Sequence, residues 1–166
     1  MRAAVRRGYP RSGGEDVQRE PAVEALAVEL IGAMCRGDTA AVTALLSADL
    51  AVVFGVVDGI VWPSFEEAAA GLAARFEGGW RLDVRPGCPR AFRQGEIAWF
   101  ADRPVMATAG GGSIVGRLSG VARLEEGRWR LLQWHASLGL SNEYLDGALP
   151  PRHRVRRGIF PSRGRA

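Results

Sequence analysis

The sequence predicts a single α+β domain in which the helices come first and an antiparallel sheet follows. Residues 21–76 carry apolar residues at helical spacing, interrupted by one strand-like run, whereas residues 80–138 carry strand patterns separated by turns. The length of 166 residues fits one domain. Helices and antiparallel strands that are separated along the chain pack as a helical layer on one face of a sheet.

The N-terminal half contains three predicted helices. Pro21 opens the first helix, whose apolar residues recur at i, i+3 and i+4 until Gly37 ends it. Asp38 is the expected N-cap of a short second helix. Ser64, with a glutamate three residues later, forms a capping box that starts the third helix, which extends to about residue 76.

Strand patterns occupy the other segments of the domain. The apolar run 49–57 predicts a buried strand, and Asp58-Gly59 predicts a turn after it. Glu126-Gly127 predicts the turn of a hairpin near the end of the domain. The remaining strands are predicted at residues 80–86, 90–94, 96–108, 113–125 and 128–138.

The positive charge of the chain is concentrated outside the predicted domain. Residues 150–166 hold six Arg and no acidic residue, whereas residues 21–149 hold eleven Arg against fifteen acidic residues, a net charge of −4. Because a nucleic-acid-binding domain needs a basic face of its own, we expect no nucleic-acid partner. Residues 1–20 and 150–166 are polar and are predicted to be disordered extensions of a domain over 21–149.

The composition also argues against a membrane protein and a metalloprotein. The longest apolar run, residues 50–57, is far shorter than the roughly 18–20 residues that span a bilayer, and residues 1–20 lack the apolar core of a signal peptide. Cys35 and Cys88 show no metal-ligand spacing, and neither His135 nor His153 has a ligand partner nearby in sequence. We therefore expect a cytoplasmic protein with reduced thiols, no metal and no cofactor.

Four segments, taken in order, resemble one protein family. They read LLSADLAVVFG, DGIVWPSFEEAAAGL, QGEIAWF and GRLSGVARLEEGRWRLLQWHASLGLSNE. Over about residues 21–145 the chain resembles the SnoaL-like branch of the nuclear transport factor 2-like superfamily. This resemblance implies a cone-shaped α+β barrel with three N-terminal helices packed on a strongly curved, mixed or antiparallel sheet. It also implies a pocket between helices and sheet, and a homodimer formed through the outer face of the sheet.

The resemblance implies no single activity, because this branch is similar to polyketide cyclases, steroid isomerases, dehydratases and proteins that only bind a ligand or a partner. The isomerases carry an aspartate on the strand after the second helix, where this chain reads Ala51-Val52-Val53-Phe54. That departure argues against isomerase chemistry. Two hypotheses follow: a protein that binds a small organic ligand, with or without cofactor-free acid/base catalysis, and a non-catalytic dimeric association module.

The final predicted hairpin carries most of the candidate site residues, and its turn length decides their neighbours. A two-residue turn at Glu126-Gly127 would place His135 opposite Leu118, whereas a three-residue turn would place it opposite Arg117. We favour the three-residue turn, because isolated buried polar groups are costly and this register gathers the polar residues on one face. The candidate pocket residues on that face are Arg117, Ser119, Gln133, His135 and Ser137.

His135 is the candidate catalytic residue, because an imidazole exchanges protons near neutral pH, although a structural histidine is the alternative. Arg117 could clamp an anion or be a solvated strand residue. Asp102 could serve as a base if it faces inward, and a solvent-exposed strand end is the alternative. Phe54 and Trp62 are expected at the pocket mouth, with core packing as the alternative for Phe54.

Overall fold

Helices pack on one side of a mixed sheet in this protein. The computed structural model describes residues 16–50, 52–55, 60–108 and 110–139. Within these ranges the helices precede most of the strands, so the predicted α+β class is confirmed. The predicted turn at Asp58-Gly59, the tail 150–166 and residues 1–15 lie outside the described residues.

The three predicted helices are present, and their ends follow the predicted capping residues. They are α1 (Pro21–Arg36), α2 (Thr39–Ala44) and α3 (Phe65–Glu77). Gly37 ends α1 in the left-handed conformation, with φ 66°, which glycine adopts without steric cost. Asp38 caps α2 by accepting the Ala41 N–H at 2.9 Å, and Ser64 caps α3 by accepting the Glu67 N–H at 3.2 Å.

The described strands form a nine-stranded sheet. They are β1 (Gln18–Arg19), β2 (Val52–Phe54), β3 (Val61–Trp62), β4 (Val84–Arg85), β5 (Arg90–Gln94), β6 (Ile97–Asp102), β7 (Val105–Ala107), β8 (Ser113–Glu125) and β9 (Arg128–Leu138). The strand order is β1-β5-β6-β8-β9-β2-β3, and β4 joins through β7, which pairs with β8. Only β2 and β9 pair in parallel among these strands, which makes the sheet mixed.

Two strand predictions and the predicted disorder of residues 1–20 differ from the structure. The strand predicted at 96–108 is two strands, β6 and β7, because Pro104 lacks the N–H that would continue the ladder. The strand predicted at 80–86 is confined to β4. The predicted disorder of residues 1–20 does not extend to β1, which pairs with β5 and is fixed by two hydrogen bonds from Arg19 to Glu24, of 2.9 and 2.7 Å.

Both predicted registers of the last hairpin are wrong, because β9 contains a bulge. The turn has two residues, since Glu125 pairs with Arg128. The register then shifts by one residue at Val121/Ala122, which leaves Leu132 as the extra residue of β9. Beyond the bulge His135 lies opposite Ser119, and therefore opposite neither Leu118 nor Arg117.

The main core lies between α1 and the inner face of the sheet. The predicted apolar face of α1 is buried, with Val23 and Leu30 at 0% and 2% exposure. In β9 the bulge lets both Leu131 and Trp134 face this core, although they are three residues apart. The opposite, outer face of the sheet carries exposed apolar side chains, which include Phe92 and Trp99.

Candidate functional site

A cavity of about 80 Å³ lies between α1 and the inner face of the sheet. α1 contributes Leu30 and Met34 to its wall, and β7 contributes Met106. Leu118 of β8 and Trp134 of β9 form the wall on the sheet side, together with Ala136 of β9. The wall is apolar apart from two residues of these strands, Arg117 and Ser137.

Local sequence explains why these side chains meet. The i, i+3 and i+4 spacing of α1 places Leu30, Ile31 and Met34 on the face that contacts the sheet. The break at Pro104 lets β7 leave the line of β6 and pair with β4, which brings Met106 beside α1. The cavity therefore forms where the main sheet and the short β4–β7 pair diverge.

The five polar candidates of the last hairpin share one face, but this face is the outer one. Arg117 pairs with Ser137, and Ser119 pairs with His135, while Gln133 pairs with an outward-facing valine of β8. Arg117, Ser119 and His135 are exposed, whereas the residues that alternate with them in β8 and β9 face the core. Arg117 and Ser137 border the cavity because they lie between residues that line it.

His135 is therefore positioned away from the inner cavity. Its ring lies edge-on to Phe54, with the ring centroids 6.1 Å apart, and both residues are exposed on the outer face. Neither residue belongs to the described cavity wall. Catalysis by His135 stays a prediction, and it would need a substrate bound on the outer face.

Asp102 faces inward, at 5% exposure, and supports the chain between β4 and β5. Its two carboxylate oxygens accept the backbone N–H groups of Gly87 and Cys88, at 3.0 and 2.8 Å. A side chain at Gly87 would collide with this carboxylate, because an added Cβ would lie 2.7 Å from Oδ1. Asp102 does not line the cavity, and its geometry is that of a structural anchor.

Trp62 packs against α3 and does not line the cavity. It is half-buried in β3, packs against the core cluster, and its indole lies against Gly71 of α3. The absence of a side chain at Gly71 permits this close approach. Of the eight predicted pocket residues, only Arg117 and Ser137 border the inner cavity.

A polar cluster that the sequence did not reveal joins the segment after α2 to the last hairpin. Ser47 is 1% exposed and donates its hydroxyl to Glu125 at 2.7 Å. Arg123 donates to the same carboxylate at 2.6 Å and to Asp49 at 2.7 Å. The Ser47 hydrogen bond lowers the pKa of Glu125, and Arg123 lowers it further, against the opposing effect of desolvation.

The described residues contain no group of three His, Cys, Asp or Glu side chains arranged to hold a metal ion. No helix in the described part of the chain is long and apolar enough to cross a membrane.

Comparison with known families agrees with the fold and the motifs. The family model of the SnoaL-like domain matches residues 23–141, well over half of the chain. The protein belongs to the SnoaL-like family. No curated protein matches the sequence significantly.

Solved structures show that this SnoaL-like protein has the NTF2-like fold. An NTF2-like protein of unknown function from Pseudomonas putida KT2440 is 15% identical, with a TM-score of 0.63 over 76% of this chain and 94% of that one. A candidate dehydratase of the NTF2-like family from Streptomyces avermitilis is 16% identical, with a TM-score of 0.60 over 73% and 96%. A candidate ketosteroid isomerase from Shewanella frigidimarina is 20% identical, with a TM-score of 0.58 over 70% and 94%. At these identities the similarity establishes the fold alone.

Proposed function

We propose that this SnoaL-like protein binds a small, uncharged, apolar molecule in the cavity between α1 and the sheet. The observation that carries the proposal is the apolar wall formed by α1, β7, β8 and β9. Apolar ligands gain free energy when they leave water for such a wall. The cavity of about 80 Å³ is smaller than the roughly 300–1,000 Å³ of drug-sized sites, so it accepts a few heavy atoms or the apolar arm of a larger molecule.

Binding fits the geometry better than acid/base catalysis does. A catalytic group must come within hydrogen-bond reach of the proton that it transfers. The imidazole of His135 lies on the outer face, and the carboxylate of Asp102 is occupied by two backbone N–H groups. Acid/base catalysis by His135 or Asp102 inside the inner cavity would require these side chains to leave their present positions.

The methionines of the chain provide a direct test. The sequence has three methionines, of which Met34 and Met106 line the cavity, whereas Met1 lies outside the described residues. Toluene titrated into protein labelled with 13C at the methionine methyl groups should shift the NMR signals of Met34 and Met106. The Met1 signal should stay constant and serves as the internal reference.

A matched pair of substitutions makes the test specific. Ala136→Leu places a larger side chain in the cavity wall and should abolish the toluene-dependent shifts. Ala74→Leu makes the same change on the exposed surface of α3 and should leave them intact. Unmoved Met34 and Met106 signals at saturating toluene, or equal binding by the two variants, would contradict the proposal.

We also propose that the protein forms a homodimer through the outer face of the sheet, which is the basis of the second candidate function, an association module. Two cross-strand rows at the centre of this face hold no charged side chain from β6 to β2, and Arg90 of β5 continues the second row beyond Ala101. One row runs Phe92, Trp99, Val121, Gln133, Val52, and the other runs Ala101, Ser119, His135, Phe54. The rows include three exposed aromatic side chains, Phe54, Phe92 and Trp99, and exposed apolar side chains that lie together are typical of protein interfaces.

The exposed apolar side chains of the outer face support a second copy as its partner. The strands β5, β6, β8, β9 and β2 hold 38 residues, which at about 3.4 Å per residue and about 4.8 Å between strands give a face of about 620 Å², somewhat below the roughly 800 Å² that each partner buries in a stable complex. Arg90 and Arg117 occupy outward positions on one side of the rows, and Arg123, which forms ion pairs with Asp49 and Glu125, lies on the other side.

The dimer is tested by sedimentation of the purified chain at micromolar concentration. Trp99→Arg places a charge in the uncharged rows and should give a monomer, whereas Arg36→Ala on the exposed end of α1 should sediment as wild type. A wild-type monomer would refute the dimer and leave the ligand proposal standing. An acidic macromolecule as partner would instead give a wild-type monomer that associates only when that partner is added.

The cysteines support the cytoplasm as the location of the protein. Cys35 and Cys88 are both free thiols. Cys35 donates a hydrogen bond to the Val84 carbonyl at 3.4 Å, and Cys88 is exposed. An exposed thiol persists in a reducing compartment. Detection of the untagged protein by cell fractionation tests this assignment.

A further inference from the structure

We propose that Gly116 of β8 sets the size limit of the molecule that the inner cavity binds, because the side chain that it lacks leaves room for part of the ligand. This inference rests on the proposed binding of an apolar molecule. Gly116 is buried and lies in the cavity wall, two residues from Leu118. Its N–H donates to the carbonyl of Pro104, another wall residue, at 2.8 Å. A ligand that reaches this point lies against the backbone of β8.

Neither the backbone conformation nor crowding by the protein requires a glycine at position 116. Gly116 does not have the positive φ that makes glycine favourable at Gly37 and Gly127. A Cβ added at Gly116 would have Cγ of Pro104 and the carbonyl oxygen of Ser137 as its nearest protein atoms, each at 3.5 Å. This spacing is ordinary van der Waals contact. The methyl-sized space at this position is therefore not filled by another part of the protein.

Gly120, which faces inward on the same strand, provides the contrast. A Cβ added there would lie 2.5 Å from Cε1 of Phe100 and 2.7 Å from the carbonyl oxygen of Gln133. Phe100, which pairs with Gly120 from β6, therefore occupies the space that a side chain would need. A glycine inside a strand weakens it and commonly marks the close approach of another backbone, a side chain or a ligand. Because no protein atom makes that approach at Gly116, a ligand is the group that uses the space.

A bend of β8 is the competing reason for a glycine at this position. The strand pairs with β6 up to Leu118 and with β7 from Val115, so it changes partner beside Gly116. The two explanations predict different results for Gly116→Ala. If the bend requires glycine, the variant loses stability. If the ligand uses the space, the variant stays folded and loses affinity, because one methyl group changes binding in an apolar pocket by about 10–200-fold.

The experiment titrates toluene and, separately, xenon into the full chain labelled with 13C at the methionine methyl groups, and follows Met34 and Met106 in the cavity wall. For Gly116→Ala, we expect the toluene dissociation constant to rise by about tenfold or more. Xenon, a single atom that enters small apolar cavities, should bind within about threefold of wild type. Gly110→Ala makes the same change at an exposed glycine with no atom within 4 Å of the added Cβ, and it should bind both as wild type does.

Urea denaturation separates the ligand role from the bend of the strand. Gly116→Ala should unfold at the urea concentration of wild type or above it, because alanine lowers the entropy of the unfolded chain. A variant that is unfolded or clearly less stable shows that the bend requires glycine and overturns the inference.

The binding results decide the remaining points. Unchanged toluene affinity in Gly116→Ala, or an equal loss of toluene and xenon, overturns the role of Gly116 and leaves the ligand site standing. A wild-type protein that does not bind toluene refutes the ligand site itself, and the inference with it.

Discussion

His135 of β9 lies opposite Ser119 of β8, two residues from the position at which Arg117 meets Ser137. This pairing differs from what an unbroken hairpin with either turn length would give. The cause is the extra residue Leu132, which shifts the register between the turn and the outer end of the hairpin. The bulge therefore decides which side chains of β9 face the core and which ones face outward.

The bulge leaves a trace in the sequence. Before it the apolar inward residues of β9 are Trp129 and Leu131, whereas after it they are Trp134 and Ala136. The alternation thus changes phase at the Leu131-Leu132 pair, and a strand whose period-2 pattern breaks in this way indicates a bulge. A register deduced from turn length alone misses it.

Adjacent leucines on the two sides of this phase change should differ in their contribution to stability. Leu131 is fully buried, so Leu131→Ala should lower the free energy of unfolding by about 2–5 kcal/mol through lost burial and a residual cavity. Leu132 is the half-buried extra residue, so Leu132→Ala should cost about 1 kcal/mol. Urea denaturation measures both variants, and equal losses would show that the bulge is placed wrongly.

The helices and the long strands could be predicted because their signals are local. Gly37, Asp38 and Ser64 each act on backbone groups within a few residues, so their capping roles follow from short sequence windows. The same holds for β8 and β9, whose predicted bounds match the structure. The SnoaL-like resemblance was confirmed for the same reason, because its motifs are short stretches in a fixed order.

The site could not be predicted to the same extent, because its residues meet through long-range packing. Ser47 reaches Glu125 across 78 positions of sequence, and Asp102 reaches Cys88 across 14. No short stretch of the sequence indicates either contact. The sequence did place the polar residues of the last hairpin on one face, but the side on which this face lies depends on where α1 packs.

The Asp102 anchor should contribute strongly to stability. Asp102→Asn removes one of two oxygens that accept N–H groups and turns an amide NH2 toward a donor, so we expect a loss of about 2–3 kcal/mol. Asp83→Asn, at an exposed position, should stay within about 0.5 kcal/mol of wild type. Chemical denaturation of both variants provides the comparison, and a neutral Asp102→Asn would contradict the anchoring role.

The cluster of Ser47 and Glu125 should make stability depend on pH in the acid range. The folded-state pKa of Glu125 lies below its ordinary value of 4.5, mainly because of the Ser47 hydrogen bond. The stabilisation is therefore complete above that ordinary value and is lost as the pH falls through the folded-state pKa. Ser47→Ala should cost about 1–2 kcal/mol at pH 7, and this cost should shrink below pH 4.

Urea unfolding of wild type and Ser47→Ala at pH 7, 5, 4 and 3 measures that difference. Ser113→Ala, at an exposed serine of β8, is the control and should show a small difference at every pH. A cost of Ser47→Ala that stays constant down to pH 3 would mean that the hydroxyl does not act through the Glu125 carboxylate.

Two helical glycines should respond to the same substitution with opposite signs. In α3, a Cβ at Gly71 would lie 2.5 Å from Cζ2 of the Trp62 indole, so Gly71→Ala should destabilise the protein by about 1–3 kcal/mol through overpacking. In α1, a Cβ at Gly32 would meet only the guanidinium end of Arg36 at 3.2 Å, which can move. Gly32→Ala should therefore stabilise by about 0.5–1 kcal/mol, because alanine loses less backbone entropy in a helix. Thermal unfolding of the two variants gives the signs directly, and a stabilised Gly71→Ala would show that Trp62 does not pack on α3 as described.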